Sequence, residues 1–305
     1  MWFVFSIITT LIWGLAELFY KKGARSTEKY SHLKICVCVG IVMGIHALFT
    51  LLTQDISYSF FNLIKYLPVS LCYIISMAFS FFGMRFIEES ISDPIENTSG
   101  ALCSILCILF IPGETLSSKW SVAAIIITVA GILGVGFLEN FGTTDRKKKI
   151  GKKMAVVAFL MPFLYAVLDA VGSFLDVYYL EIETTPLRNV TEDNIEAVAN
   201  TSYELTFAFC ALILFIFMKI KGIKFDLPNQ KDKALAAVCE TAGQFTYVYA
   251  MSGNGAVAAP IISSVCIVSL LLSRIFLKEK LTSKQYLFIG MVIFGIIMLA
   301  VFEGD

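Results

Sequence analysis

The chain has 305 residues, 24 basic against 24 acidic side chains, 57% hydrophobic residues and a mean hydropathy of +0.78. Soluble domains are ~45–50% apolar and ~25% charged, whereas only 16% of this chain is charged. An ordinary soluble domain is therefore excluded, and the zero net charge leaves no basic footprint for nucleic acid.

The apolar residues come in runs of roughly 18 to 25, separated by short polar breaks. A run of that length crosses ~30 Å of hydrocarbon as a helix. The sequence predicts an all-α integral membrane protein with ten transmembrane helices. They fall near 2–20, 32–53, 66–86, 93–111, 119–138, 154–179, 200–219, 234–251, 256–276 and 285–302. A barrel would instead need strands of ~10 residues with alternating polarity. The first run, MWFVFSIITTLIWGLAELFYKK, has no basic residue ahead of its apolar stretch and no small-residue cleavage site, so it reads as a span.

Basic residues set orientation, because Lys and Arg are retained on the cytoplasmic side. Number each loop by the span it follows. The odd loops and their flanks hold 21 of the 24 basic residues, among them Lys21, Lys22, Lys34, Lys147 and Lys233. The even loops hold only Lys65, Lys119 and Arg188. Odd loops are thus expected in the cytoplasm and both termini outside. The acidic loop EIETTPLRNVTEDNIE then faces out.

Eight cysteines, Cys36, Cys38, Cys72, Cys103, Cys107, Cys210, Cys239 and Cys266, all fall in apolar runs. Thiols so placed act as small apolar fillers. With no neighbouring His beside the two close pairs, neither a metal site nor a disulfide framework is expected.

The two halves repeat. Residues 108–120 read ILFIPGETLSSKW and residues 274–285 read RIFLKEKLTSKQ. Each follows a span that begins near a proline, Pro94 or Pro260, and each leads into a glycine-bearing last span. Aligning Trp13-Gly14 with Tyr165-Ala166 carries Glu17 onto Asp169. The division is a first five-helix half over 1–140, a basic linker over 141–153 and a second half over 154–305. An odd number of spans per half inserts the second half upside down, and inverted repeats are a signature of alternating-access transporters.

The element GETLS at 113–117, its counterpart KEKLT at 278–282 and the glycine-rich span after each resemble the EamA type of the drug/metabolite transporter superfamily. The resemblance covers nearly the whole chain, with Lys278 where the family usually has Gly. It implies a cavity lined by spans 1–4 and 6–9, with spans 5 and 10 peripheral, in a bacterial plasma membrane. It also implies hairpins of spans 3–4 and 8–9 acting as gates. The family moves amino acids, amines, sugars and nucleotide derivatives, so it names no substrate. Some branches are drawn with both termini in the cytosol, opposite to the charge count here.

A carboxylate at mid-bilayer costs ~2.5–3.5 kcal/mol on insertion scales and so faces a cavity or a partner. The candidates for substrate or proton binding are Glu17, Glu96, Asp169 and Glu240, with Trp13 and Tyr165 one turn from the paired acids. Each has a plainer reading. Glu17 could anchor or pair with Lys21, and Glu96 could favour the start of span 4 through the helix dipole. Asp176 and Glu204 read as solvated residues at the outer edge, and His46 as a lone histidine satisfied by a neighbour. Tyr73, Phe245 and Tyr247 lie near the acids and could hold an ammonium group through cation–π attraction. Gly40 and Gly44 form a small-xxx-small pattern for close helix approach. Asn97, Thr98, Ser99 and Gly100 could unwind span 4 locally.

The spans carry acids and no clearly intramembrane Lys or Arg. That favours an amine-bearing or cationic small metabolite, with proton-coupled export one outcome. A non-transporting scaffold or sensor is the alternative. No HExxH or paired-Asp motif points to an enzyme, and no cofactor is expected. The expected partners are a small-molecule substrate and the bilayer, and a homodimer is compatible with the sequence.

Overall fold

The computed structural model describes residues 1–24, 28, 30–54, 56–83, 95–111, 116, 118–139, 152–277 and 283–303. Arg85, Pro94, all of KEKLT and all of GETLS but Leu116, and most of the linker, 141–151, lie outside the described residues. Eleven α-helices are described, with a short 3-10 helix at Leu227–Gln230: α1 (Trp2–Gly23), α2 (Ser31–Thr53), the short α3 (Phe61–Lys65), α4 (Leu67–Gly83), α5 (Ser99–Phe110), α6 (Lys119–Glu139), α7 (Lys152–Leu180), α8 (Ile195–Ile220), α9 (Lys231–Ile262), α10 (Val265–Leu277) and α11 (Ser283–Glu303). No strand occurs among the described residues. A helix satisfies its own backbone, as a chain in hydrocarbon must.

Five helical stretches are long and apolar enough to cross a bilayer unaided: Trp2–Gly23, Ser31–Thr53, Leu160–Leu180, Ile195–Ile220 and Tyr286–Glu303. A sixth candidate is a bent pair, Pro228–Ile262 with Val265–Leu272, whose arms meet at 46°. Leu67–Gly83, Ser99–Phe110 and Lys119–Gly134 are shorter apolar helices. The exterior is apolar in the way a lipid-facing surface must be: Ile45, Leu48, Phe49 and Leu52 of α2 are all exposed. Soluble monomers do not present such a continuous apolar face.

The helices pair across the chain. α1 packs along α9, α4 along α7, α2 along α8 and α6 along α11, while α10 touches α1 and α5 touches α7. The small-xxx-small pattern works within the molecule. A Cβ on Gly44 would lie 2.9 Å from the Ala208 Cβ, and one on Gly40 would strike Ala211 and the Phe207 carbonyl of α8. Replacing Gly40 by Val should lower the unfolding midpoint in detergent, with a cost of about 1–3 kcal/mol for overpacking. An unchanged midpoint would show that α2 can retreat from α8 without loss.

Two helices are interrupted. Residues 97–98 form a turn ahead of α5, and Ser263 and Ser264 form another between α9 and α10. Within α9, Asn254 has φ −167° and ψ 76° and breaks the helix a first time. α8 ends on Gly222 at φ 67°, where the Ile223 N–H reaches back to the Met218 carbonyl at 2.9 Å. Only glycine takes that left-handed conformation without a steric cost.

Polar clusters hold both ends of the bundle. At the lysine-rich end, Glu28 accepts hydrogen bonds from Lys34 and from Lys233, the latter at 3.0 Å. Lys34 and Lys233, counted from sequence among the basic residues of the odd loops and their flanks, are both buried and tie the α1–α2 connection to the start of α9. Burial opposes the charge of Glu28, but the two ammonium groups outweigh it and hold the carboxyl below its ordinary value. A depressed folded-state value means stability that is present above the ordinary carboxylate value and lost as pH falls through the folded one. The midpoint advantage of the wild type over Glu28→Gln should therefore shrink on acidification. An advantage constant with pH would rule out this linkage.

At the opposite end, Asn62 grips the backbone of Arg188 in both directions. Its Nδ2 donates to the carbonyl at 2.9 Å and its Oδ1 accepts from the N–H at 2.8 Å. Segment 181–194 is thereby folded onto α3, with Leu187 buried and the Arg188 guanidinium 4.0 Å from the centre of the Phe61 ring.

Candidate functional site

The helical pairs enclose a central cavity of about 100 Å³. A buried water needs ~10–15 Å³ by this measure, so several waters or a small organic molecule fit. All six residues singled out in the sequence line it: Trp13 and Glu17 from α1, Glu96 just ahead of α5, Tyr165 and Asp169 from α7, and Glu240 from α9. They come from distant parts of the chain and meet because α1 lies on α9 and α7 lies on α4 and α5.

Each contributing helix turns a polar stripe inward. On α1 it is Trp13, Glu17 and Tyr20; on α4 it is Tyr73, Met77 and Ser80. On α7 it is Tyr165, Asp169 and Ser173; on α9 it is Glu240, Gln244 and Tyr247. Steps of three and four residues keep one helix face toward the cavity. Tyr203 of α8 completes the wall.

Hydrogen bonds hold the acids in place. Tyr20 donates its hydroxyl to Glu240 Oε2 at 3.2 Å, and Ser80 donates to Glu96 Oε2 at 2.7 Å. Asp169 interacts with Ser99 and Tyr165. Trp13 Nε1–H donates to the Glu240 backbone carbonyl at 3.2 Å, and its ring stacks on Tyr247 with centroids 5.0 Å apart. The indole lies against α9 at Gly243, where a Cβ would collide with the ring. Tyr73, Tyr247 and Ser173 form a closed hydroxyl cluster, with Tyr73 to Tyr247 at 2.6 Å and each tyrosine 3.1 Å from Ser173 Oγ.

Both helix interruptions reach this cavity. Asn97, Ser99 and Gly100 line one side; Ile262, Ser263 and Val265 line the other. The two come into contact, since a Cβ on Gly100 would strike Ser263 and the Ala259 carbonyl. The expectation of local unwinding around 97–100 thus falls on a turn at 97–98 that opens α5 beside the acids.

The cavity is acidic. Four carboxylates face it, and no Lys, Arg or His is among its described lining residues. Carboxylates that face one low-dielectric cavity repel one another. Tyrosine and tryptophan faces alongside can take an ammonium group. No group of three or more His, Cys, Asp or Glu able to hold a metal occurs among the described residues.

Other sequence expectations fare differently. Tyr73 and Tyr247 line the cavity, but Phe245 points outward and packs edge-on against His46. Asp176 and Glu204, read as solvated, are both completely buried. Glu204 lies under His46, whose Nδ1 is 2.7 Å and 2.8 Å from its two oxygens, and Asn200 donates to it at 3.1 Å. His46 thus has its neighbour, outside the cavity. Tyr20, Ser80, Ser173, Tyr203 and Gln244 were missed. All but Tyr203 lie three or four residues from a lining residue on the same helix, which is the signal that would have found them.

Residues 184–301 match the family model described as the EamA-like transporter family, part of the drug/metabolite transporter superfamily. No curated protein matches the chain in sequence. A solved crystal structure is similar over 98% of this chain and 96% of its own, at 14% identity and a TM-score of 0.68. At that identity the likeness concerns the fold.

Proposed function

We propose that the whole chain is a secondary transporter, a reading supported by the match of residues 184–301 to the EamA-like transporter family, whose members are membrane transporters of small molecules. Its cargo is a small amine-bearing or cationic metabolite, exported by alternating access in exchange for protons. The observation that carries this reading is the convergence of Glu17, Glu96, Asp169 and Glu240 on one aromatic-walled cavity whose described lining has no basic residue. A phosphate- or carboxylate-bearing cargo would call for Arg or Lys there.

The same reading takes the chain as ten spans in two inverted halves, 1–140 and 154–305, joined by 141–153, with both termini outside. The helix pairings support it. Exchanging the halves turns the α1–α9 pair into the α4–α7 pair and the α1–α10 contact into the α5–α7 contact. It also leaves α2 with α8 and α6 with α11. Turns at 97–98 and 263–264 are 166 residues apart, the same offset that separates Pro94 from Pro260. Glu17 and Asp169, equivalent under the repeat, both line the cavity. Broken helices opening onto a site between two repeats suit substrate binding near the middle of the bilayer.

A thermal-shift panel in detergent tests the cargo class with primary amines, guanidinium, neutral sugars and sugar phosphates. Amines should raise the midpoint of the wild type and have a weaker effect on Asp169→Asn and Glu240→Gln. Stabilisation by a sugar phosphate and none by amines would contradict the proposal.

A further inference from the structure

α7 carries a second carboxylic acid on the face that holds Asp169 and Ser173. Asp176 is seven residues beyond Asp169, two helical turns, so the two acids and the serine share one side of the helix. Asp176 does not line the cavity and is completely buried. Tyr66, which is 1% exposed, donates its hydroxyl to Asp176 Oδ1. Tyr73 also interacts with Asp176, and the same Tyr73 hydroxyl is shared with Tyr247 and Ser173 on the cavity wall. Continuous hydroxyl contacts therefore run from the cavity wall to a carboxylic acid set deeper in the bundle.

Among the described residues, the titratable groups that interact with Asp176 are tyrosines and a cysteine. Tyr66 and Tyr73 approach from the start and middle of the α4 region, Tyr247 from α9, Tyr203 from α8 and Cys103 from α5. None of these is a cation. An ionised carboxylate enclosed in this way has no counter-charge among these groups, which favours the neutral acid. A buried acid that adjoins a chain of hydroxyls can pass its proton on by hydroxyl rotation and refill from the other side. Tyr66 lies beside α3 and segment 181–194, at the end of the bundle opposite the Lys34–Glu28–Lys233 cluster.

We propose that Asp176 is a second proton-carrying site, joined through Tyr73 to the Tyr247 and Ser173 hydroxyls on the wall of the cavity that Asp169 also lines, by which protons enter or leave that cavity toward the end of the bundle formed by α3 and segment 181–194. In each transfer a proton moves from the carboxyl of Asp176 to a neighbouring hydroxyl oxygen while that hydroxyl gives up its own proton onward, so no charge accumulates on the tyrosines. This rests on the proton-coupled reading above, but its test needs no cargo.

The test is infrared difference spectroscopy of the protein in lipid, on exchange from H2O to D2O buffer. A protonated Asp176 contributes a carboxylic C=O band that shifts on deuteration and is missing in Asp176→Asn. In the wild type that band should shift within the buffer-exchange time. In Tyr73→Phe, and more so in Tyr73→Phe with Tyr247→Phe, the shift should slow by about tenfold or more, the equivalent of losing one hydrogen-bonded step. These phenylalanine variants retain the rings, and an unchanged amide band reports that they fold. Absence of any band assignable to Asp176, or exchange unaffected by both variants, overturns the proposal. If the exchange results hold while no amine binds the cavity, the cargo assignment fails and the proton path stands.

Discussion

Glu240→Gln is expected to weaken amine binding by about tenfold or more, since a hydrogen bond to a charged group contributes ~1.5–3 kcal/mol. The substitution preserves side-chain volume and can still accept from Tyr20, so the fold should survive. What is lost is charge at the point where α1 and α9 meet, beside the Trp13–Tyr247 stack. Glu240→Lys should go further. It places a fixed ammonium among Glu17, Glu96 and Asp169, where it acts as a tethered competitor, and amine binding should disappear while the protein stays folded. Isothermal titration with the amine that shifts the wild type most in the panel measures both. Equal affinity in the wild type and Glu240→Gln would remove Glu240 from the site.

The second large effect is structural. Gly100 sits where the two interrupted helices touch, and a Cβ there would meet Ser263 and the Ala259 carbonyl. A backbone oxygen cannot swing away as a side-chain end can. Gly100→Leu should therefore separate α5 from the α9–α10 break and cost at least the ~1–3 kcal/mol typical of overpacking, and it should also close part of the cavity. Gly290 of α11 is the control, because a Cβ there would meet nothing within 4 Å. Gly290→Ala should be neutral or slightly stabilising, as alanine is the better helix former. Unfolding midpoints of the two variants decide the matter. A Gly100→Leu protein as stable as Gly290→Ala would mean that the crossing is loose.

Much of the site was legible because a membrane span makes polarity conspicuous. Glu17, Asp169 and Glu240 stand out against apolar neighbours, and aligning Trp13-Gly14 with Tyr165-Ala166 puts Glu17 against Asp169. The proline followed by Asn97, Thr98 and Ser99 marked a weak point in a helix, and the turn formed there. What the sequence hid was partnership. Lys34 and Lys233 count as loop charges in the sequence, which does not show Glu28 between them. Asp176 and Glu204 sit near the ends of their apolar runs, where solvation is the simple expectation. Tyr66, His46 and Asn200 come from elsewhere in the fold or from the next turn and enclose them. Tyr203 could not be assigned to the cavity at all, because only the packing of α8 against α2 and α4 decides which of its faces looks inward.

Span counting shows a similar limit. Hydropathy sees apolar length and passes over geometry. The segment from 231 to 277 reads as two spans, and the structure gives a helix broken at Asn254, then a turn at 263–264 that reaches the cavity. The shortness of α5 has the same origin, since its first turn is spent on the bend beside Glu96.

The most direct test of the central claim is the number of protons released per amine bound, measured in weakly buffered detergent with a pH dye and compared between the wild type and Asp169→Asn. If amines and protons compete for the same carboxylates, the wild type releases protons in proportion to bound amine and Asp169→Asn releases fewer or none. Amine binding without proton release in the wild type would contradict exchange at this cavity.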